Sequence, residues 1–184
     1  PNPSNHQTPQ TLQTHQTLQT IKPSNHQTIK PSKPSKPSKP FTMLFTKEEE
    51  NRILQTIRAA ERRTSGEIRV YVEDFCQRDH PVERAVEVFQ LFGMFNTKAR
   101  NGVLIYLAEK SHQFAIWGDE GIHDRVGFRF WEAEKRLMRE YLQRDQAAEA
   151  VCRVIAQIGE QLQQYFPVDV TNDENELPDE IIYG

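Results

Sequence analysis

The most constraining feature of this sequence is an almost unbroken apolar run, GVLIYLA, at residues 102–108. A strand with one face in water alternates apolar and polar residues, whereas this run has apolar residues on both faces. It therefore predicts a central strand that other elements cover on both sides. A short polar loop, 109–112, leads into a second β-prone segment at 113–117, which we expect to run antiparallel to the first.

Segments with helical periodicity surround these strands and predict four helices. We expect them at residues 47–63, 82–93, 127–143 and 146–166. Thr46 and Glu49 have the spacing of a capping box at the start of the first helix. Asp145 is the expected N-cap of the last helix, which should end before Pro167.

The segment at 67–73 alternates apolar and polar residues and predicts one more strand. Because a predicted helix separates it from the strand at 102–108, the two strands should pair in parallel. Helices on both faces of a small mixed sheet make a three-layer α/β/α sandwich, which is the fold class that we predict.

Composition divides the chain into three parts. Residues 1–42 hold five basic and no acidic residues, lack glycine and repeat units such as KPS, so we predict a disordered low-complexity segment. We expect it to be a misplaced start or an unselected extension, with Met43 as the natural first residue; the alternative is a basic anchor or a proline-rich ligand. Residues 43–166 form the predicted domain, and 167–184 a solvated acidic tail.

Charge, hydropathy and cysteine usage exclude several classes of function. The chain beyond residue 42 holds 18 basic and 26 acidic residues, which argues against nucleic-acid binding. No apolar run approaches the ~20 residues that a membrane helix needs, and neither candidate start shows a secretory signal. Cys76 and Cys152 are isolated, as is typical of a reducing compartment. We therefore expect a cytoplasmic protein without a membrane partner.

Acidic residues follow the strand at 113–117, where Asp119 and Glu120 stand between two glycines. If that strand is antiparallel to its neighbours, its end lies beside Glu67 and Asn101 at one edge of the sheet. Carboxylate and amide oxygens are the ligands that Ca²⁺ or Mg²⁺ accepts, and clustered carboxylates repel one another without a cation. We therefore predict a metal site formed by Asp119, Glu120, Glu67 and Asn101; the alternative is turn chemistry, such as an Asx-turn at Asp119, or solvated charge.

Five segments of the chain carry a resemblance: TSGEIRVYVED (64–74), RNGVLIYLA (100–108), FAIWGDEGI (114–122), QYFP (164–167) and LPDEIIYG (177–184). Together they are similar to the TPM domain family, and the closing segment resembles small soluble bacterial members. The resemblance implies the α/β/α sandwich, calcium binding as described for some members, and a phosphatase label that comes chiefly from chloroplast relatives involved in photosystem repair. Many relatives carry a signal peptide and a membrane segment, and this sequence shows neither.

These observations predict a TPM-like protein that binds a divalent cation, Ca²⁺ above all, at the acidic edge of the sheet. One alternative is a metal-assisted acid phosphatase, although the sequence contains no classical catalytic motif. His112 and His123 are candidate general acids by residue type, and an exposed histidine without a catalytic role is the simpler interpretation. The other alternative is an interaction module that recruits a protein partner through the acidic C-terminal tail.

Overall fold

The computed structural model describes residues 44–168 and 180–184. Residues 1–42 and most of the predicted acidic tail lie outside these ranges. The expected disorder of the first segment and the expected start at Met43 therefore stay predictions. In the described part of the chain, no helix is both long and apolar enough to span a membrane.

Four helices, one short 3₁₀ turn and four strands make up the described structure. The helices are α1 (Lys47–Glu61), α2 (Pro81–Leu91), α3 (Glu120–Leu142) and α4 (Ala147–Tyr165), and the 3₁₀ turn is Met94–Asn96. The strands are β1 (Ile68–Glu73), β2 (Val103–Ala108), β3 (Gln113–Gly118) and β4 (Ile181–Tyr183). Thr46 caps α1 through the reciprocal bonds with Glu49 that the sequence predicts.

The sheet has the strand order β3-β2-β1-β4. β1 pairs in parallel with β2, and β3 pairs antiparallel to β2, so both predicted pairings are confirmed. All six residues of β2 are buried, as the continuous apolar run at 102–108 predicts for a central strand.

The two faces of the sheet carry separate hydrophobic cores, which confirms the three-layer α/β/α sandwich. One core joins α1, α3 and α4 to the sheet, and the other joins α2 and the 3₁₀ turn to its opposite face. Alternate residues of β2 enter the two cores. Val103, Ile105 and Leu107 belong to the first, and Leu104, Tyr106 and Ala108 to the second.

The strand β4 corrects the prediction that residues 167–184 are only a solvated tail. Its three residues extend the sheet beside β1, in parallel. The Tyr183 hydroxyl donates a hydrogen bond of 2.6 Å to Glu50 Oε1 on α1, and this bond is the main reason why the pKa of Glu50 is lowered. The C-terminal residues are therefore part of the folded domain.

The predicted start of the third helix is also wrong. The sequence predicts a loop at 118–121 and a helix near 127–143, whereas α3 begins at Glu120 with Asp119 as its N-cap. The interruption lies at Gly127, whose φ of +69° is favourable only for glycine and breaks the helical backbone. The helical periodicity therefore detected the segment after Gly127 and missed the two turns before it.

The predicted cap of the last helix is wrong by one residue. Gln146 stands at the N-cap of α4, without a side-chain capping hydrogen bond. Asp145 lies in the preceding turn with a φ of +56°, and its backbone N–H donates to Leu142 O. The side chain of Asp145 therefore does not cap the start of α4.

A buried polar network lies beneath α2, on the face opposite α1. Glu73 at the end of β1 accepts two hydrogen bonds from the guanidinium of Arg84, at 3.0 and 2.9 Å, and one of 2.6 Å from the Tyr106 hydroxyl. Burial raises the pKa of Tyr106 above its usual range, so the phenol remains a proton donor. The network ties α2 to the two central strands.

Candidate functional site

Three chain segments meet at the edge of the sheet where β1 and β2 begin and β3 ends. The Asp119 backbone N–H donates to Gly102 O at 2.9 Å, and the Val103 N–H donates to Glu67 O at 2.7 Å. The side-chain amide of Asn101 donates to Ser65 Oγ at 3.3 Å. This confirms the predicted placement of the segments that carry Glu67, Asn101 and Asp119 along one edge.

Asp119 is tightly constrained at this edge. It is buried, and its Oδ1 accepts the backbone N–H of Glu120 at 2.9 Å. Its two carboxylate oxygens also accept a two-point contact from Arg100: Nε lies 2.6 Å from Oδ2, and Nη2 lies 2.8 Å from Oδ1. A two-point guanidinium contact fixes both the position and the orientation of a carboxylate.

Sequence reasoning missed Arg100 entirely. Its guanidinium also lies 2.9 Å from Glu120 Oε1, so one cation bridges the two adjacent acidic residues. The hydrogen bond with Asp119 is the first cause of a raised pKa at Arg100. The available signal was a basic residue directly before Asn101 and Gly102, at the start of the strand predicted to lie beside residues 118–121.

Gly121 holds the Arg100 loop against the start of α3. A Cβ at Gly121 would lie 2.2 Å from the backbone oxygen of Ala99 and 2.7 Å from that of Arg100. Only glycine permits this approach of two backbones. The presence of glycine at position 121 is therefore explained by packing and not by a turn.

The other predicted ligands differ in their exposure. Glu67 and Asn101 are buried, whereas the side chain of Glu120 is 67% exposed. The Oδ1 atom of Asn101 is buried and, within the described residues, has no hydrogen-bond partner. A buried amide oxygen without a donor is costly and indicates a position where a ligand or water could bond.

The described side chains do not form an evident metal-ligand cluster. Within residues 44–168 and 180–184, no group of three or more His, Cys, Asp or Glu side chains is placed to hold a metal ion. Arg100 supplies at Asp119 and Glu120 the positive charge that the sequence argument assigned to a cation. The metal role of Asp119, Glu120, Glu67 and Asn101 therefore stays a prediction, and it depends on the guanidinium as well as on the four ligands.

The two histidines that are candidate general acids, His112 and His123, lie near opposite ends of β3. His112 occupies the β2–β3 turn, at the opposite end of β3 from Asp119. His123 lies in the first turn of α3, is exposed, and donates its backbone N–H to Asp119 O at 2.9 Å. Only His123 is therefore near the acidic edge.

Comparisons with known proteins address the fold and the family. Residues 40–161 match the family model that is described as the TPM domain (TPM_phosphatase). The solution structure of BA42 from the psychrophilic bacterium Bizionia argentinensis is similar over 79% of this chain and 99% of its own, with 38% sequence identity and a TM-score of 0.72. No curated protein matches the chain.

A more distant structure extends the likeness in fold alone. The N-terminal domain of cg2496 from Corynebacterium glutamicum is similar over 75% of this chain and 80% of its own, with a TM-score of 0.52. Its sequence identity is 12%, so it supports the α/β arrangement and no statement about a site.

Proposed function

Because this chain belongs to the TPM domain family, we propose that it binds a divalent cation, with Ca²⁺ preferred, at the edge of the sheet where β3 ends. The ligands would be Asp119, Glu120, Glu67 and the side-chain oxygen of Asn101. All four supply the hard oxygen atoms that Ca²⁺ accepts. We refer to them as the acidic edge.

The observation that supports the proposal most is the buried Asn101 Oδ1 without a hydrogen-bond partner in the described structure. A cation would satisfy this oxygen and would also offset the charge of the carboxylates at the same edge. Mg²⁺ is a weaker candidate, since it demands near-ideal octahedral geometry, whereas Ca²⁺ tolerates irregular ligand sets with backbone and amide oxygens.

Arg100 limits the affinity of the acidic edge for a cation. Its guanidinium already contacts both Asp119 and Glu120, so a cation must compete with it for these oxygens. The side chain of Arg100 is 41% exposed and can move into solvent without a large loss of packing. We therefore infer a weak site, with Arg100 acting as an internal competitor of the metal ion.

Substitution of Asp119 tests the proposal. In a Ca²⁺ titration of the full chain followed by amide NMR shifts, we expect saturable changes at residues 65–67, 101–102 and 118–121. Asp119→Asn should abolish saturation in the low millimolar range, because it removes a ligand charge and leaves Arg100 on Glu120. Asp124→Asn, which changes an exposed carboxylate further along α3, should bind as the wild type does. Equal binding by Asp119→Asn would contradict the assignment.

The same variants separate cation binding from the two alternatives. Hydrolysis of a phosphate ester that requires the cation and is lost in Asp119→Asn would favour a metal-assisted phosphatase, in which the ion polarises phosphate oxygen and activates water. Neither binding nor hydrolysis, together with a protein partner that requires residues 167–184, would favour an interaction module.

A further inference from the structure

The turn before β1, residues 64–66, is held against the end of α4 by hydrogen bonds. The Ser65 backbone N–H donates to Phe166 O at 3.0 Å, and the Thr64 hydroxyl donates to the same oxygen. Within the turn, the Gly66 N–H donates to Thr64 Oγ1 at 3.0 Å. None of these three bonds uses the hydroxyl of Ser65. The turn therefore fixes the position of Ser65 through its backbone and leaves the side chain to make a different contact.

That contact is with Asn101, one of the four residues of the acidic edge. Asn101 Nδ2 donates to Ser65 Oγ at 3.3 Å, and the Asn101 backbone N–H donates to Thr97 Oγ1 at 3.2 Å. Asn101 is fully buried, so its side chain does not turn into solvent. Two hydroxyl groups from different segments therefore hold this residue, one at its backbone and one at its side-chain amide.

The bond to Ser65 decides which atom of the Asn101 carboxamide is left for a ligand. A carboxamide carries an oxygen, which accepts, and a nitrogen, which donates. A serine hydroxyl can bond to either atom, and here it accepts from Nδ2, so Oδ1 faces away from Ser65 and has no partner in the described structure. The reversed amide would present N–H groups to the acidic edge, and these repel a cation. The observed arrangement is the one that offers an oxygen.

We propose that Ser65 is a positioning residue of the acidic edge, which holds the Asn101 carboxamide with its oxygen toward the bound cation. The inference rests on the proposed cation binding and adds to it a residue that acts through Asn101 and not as a ligand. A ligand oxygen that is oriented before binding loses less conformational freedom when the ion arrives. The hydroxyl of Ser65 therefore raises the affinity of the site.

A Ca²⁺ titration of the full chain, followed by amide NMR shifts, tests this role in two variants of Ser65. Ser65→Ala should raise the dissociation constant for Ca²⁺ about threefold to tenfold, as expected for the loss of one neutral hydrogen bond. Ser65→Thr keeps the hydroxyl and should restore the wild-type affinity. The matched control is Ser111→Ala, which removes the hydroxyl that accepts the Cys76 N–H at 2.9 Å in the turn between β2 and β3. It should bind Ca²⁺ as the wild type does.

The background variant Asn101→Asp separates positioning from a general effect on the fold. A carboxylate presents an oxygen in either orientation, so it does not need Ser65 to orient it. Ser65→Ala should therefore weaken binding in the wild-type background and have little effect beside Asn101→Asp. The side-chain Nδ2–H signals of Asn101 in the cation-free protein give a second readout. Ser65→Ala should shift them because it removes their acceptor, whereas Ser111→Ala should not.

The positioning role has three outcomes that overturn it while the wild type still saturates with Ca²⁺. Ser65→Ala could bind as tightly as Ser111→Ala, it could weaken binding by the same factor in both backgrounds, or it could leave the Nδ2–H signals of Asn101 unchanged. Failure of the proposed function gives a different result, because the wild type itself then does not saturate in the low millimolar range. That result would overturn the cation site together with the role of Ser65 in it.

Discussion

Replacement of Glu73 by glutamine should lower the free energy of unfolding by about 3–5 kcal/mol. Glu73 is buried and accepts hydrogen bonds from Arg84 and Tyr106. Because the side chain of Arg84 is only 15% exposed, the variant leaves a largely buried guanidinium without its main carboxylate partner. Urea unfolding followed by circular dichroism at constant pH measures the difference.

A double variant separates the lost ion pair from a simple loss of volume. Glu73→Gln combined with Arg84→Met should be more stable than Glu73→Gln alone, because it removes the buried charge that the single change strands. Glu132→Gln breaks an exposed pair with Lys135 and should change stability by less than about 1 kcal/mol. A Glu73→Gln variant no less stable than Glu132→Gln would show that the network does not hold α2 on the sheet.

Glu134 should make the protein less stable as the pH rises from about 5 to 8. It is buried on α3, its Oε2 has no partner in the described structure, and burial followed by the charge of Glu160 raises its pKa from 4.5 to about 7. Between these values the native state keeps a proton that the unfolded chain releases, so rising pH favours unfolding. The resulting cost approaches about 3 kcal/mol above pH 7.

Glu134→Gln removes this dependence. At pH 8 we expect the variant to be about 2–3 kcal/mol more stable than the wild type, and at pH 5 to differ by less than about 1 kcal/mol, measured by urea unfolding at both values. Glu132→Gln, which changes a partly exposed residue of the same helix, should follow the wild-type curve. Parallel curves for Glu134→Gln and the wild type would mean that Glu134 is ionised in the native state throughout this range.

Hydrophobic patterning alone was sufficient to predict the three layers and the order of the principal strands. The run at 102–108 could be buried on both faces only in a central strand. The short polar loop after it predicted an antiparallel pairing with the next strand. The prediction that acidic and amide side chains share one edge followed from this topology.

The features that sequence reasoning missed depend on contacts between distant segments. β4 has only three residues and is stabilised by pairing with β1, a contact that no local pattern indicates. Gly121 favours a loop by its own propensity, yet it lies in α3, where the close approach of the 99–100 backbone leaves no room for a larger residue. The local sequence around Arg100 does not show its partner, and only the fold brings its guanidinium into contact with Asp119.

The most direct test of the proposed cation site is a Ca²⁺ titration of Arg100→Gln beside the wild type, followed by the amide shifts of residues 118–121. Because the variant removes the guanidinium that competes for Asp119 and Glu120, its dissociation constant for Ca²⁺ should fall about tenfold or more. Arg125→Gln, which alters an exposed arginine on α3, should leave the dissociation constant unchanged. If Arg100→Gln does not saturate, or binds Ca²⁺ no more tightly than Arg125→Gln does, the acidic edge is an internal ion pair and not a metal site.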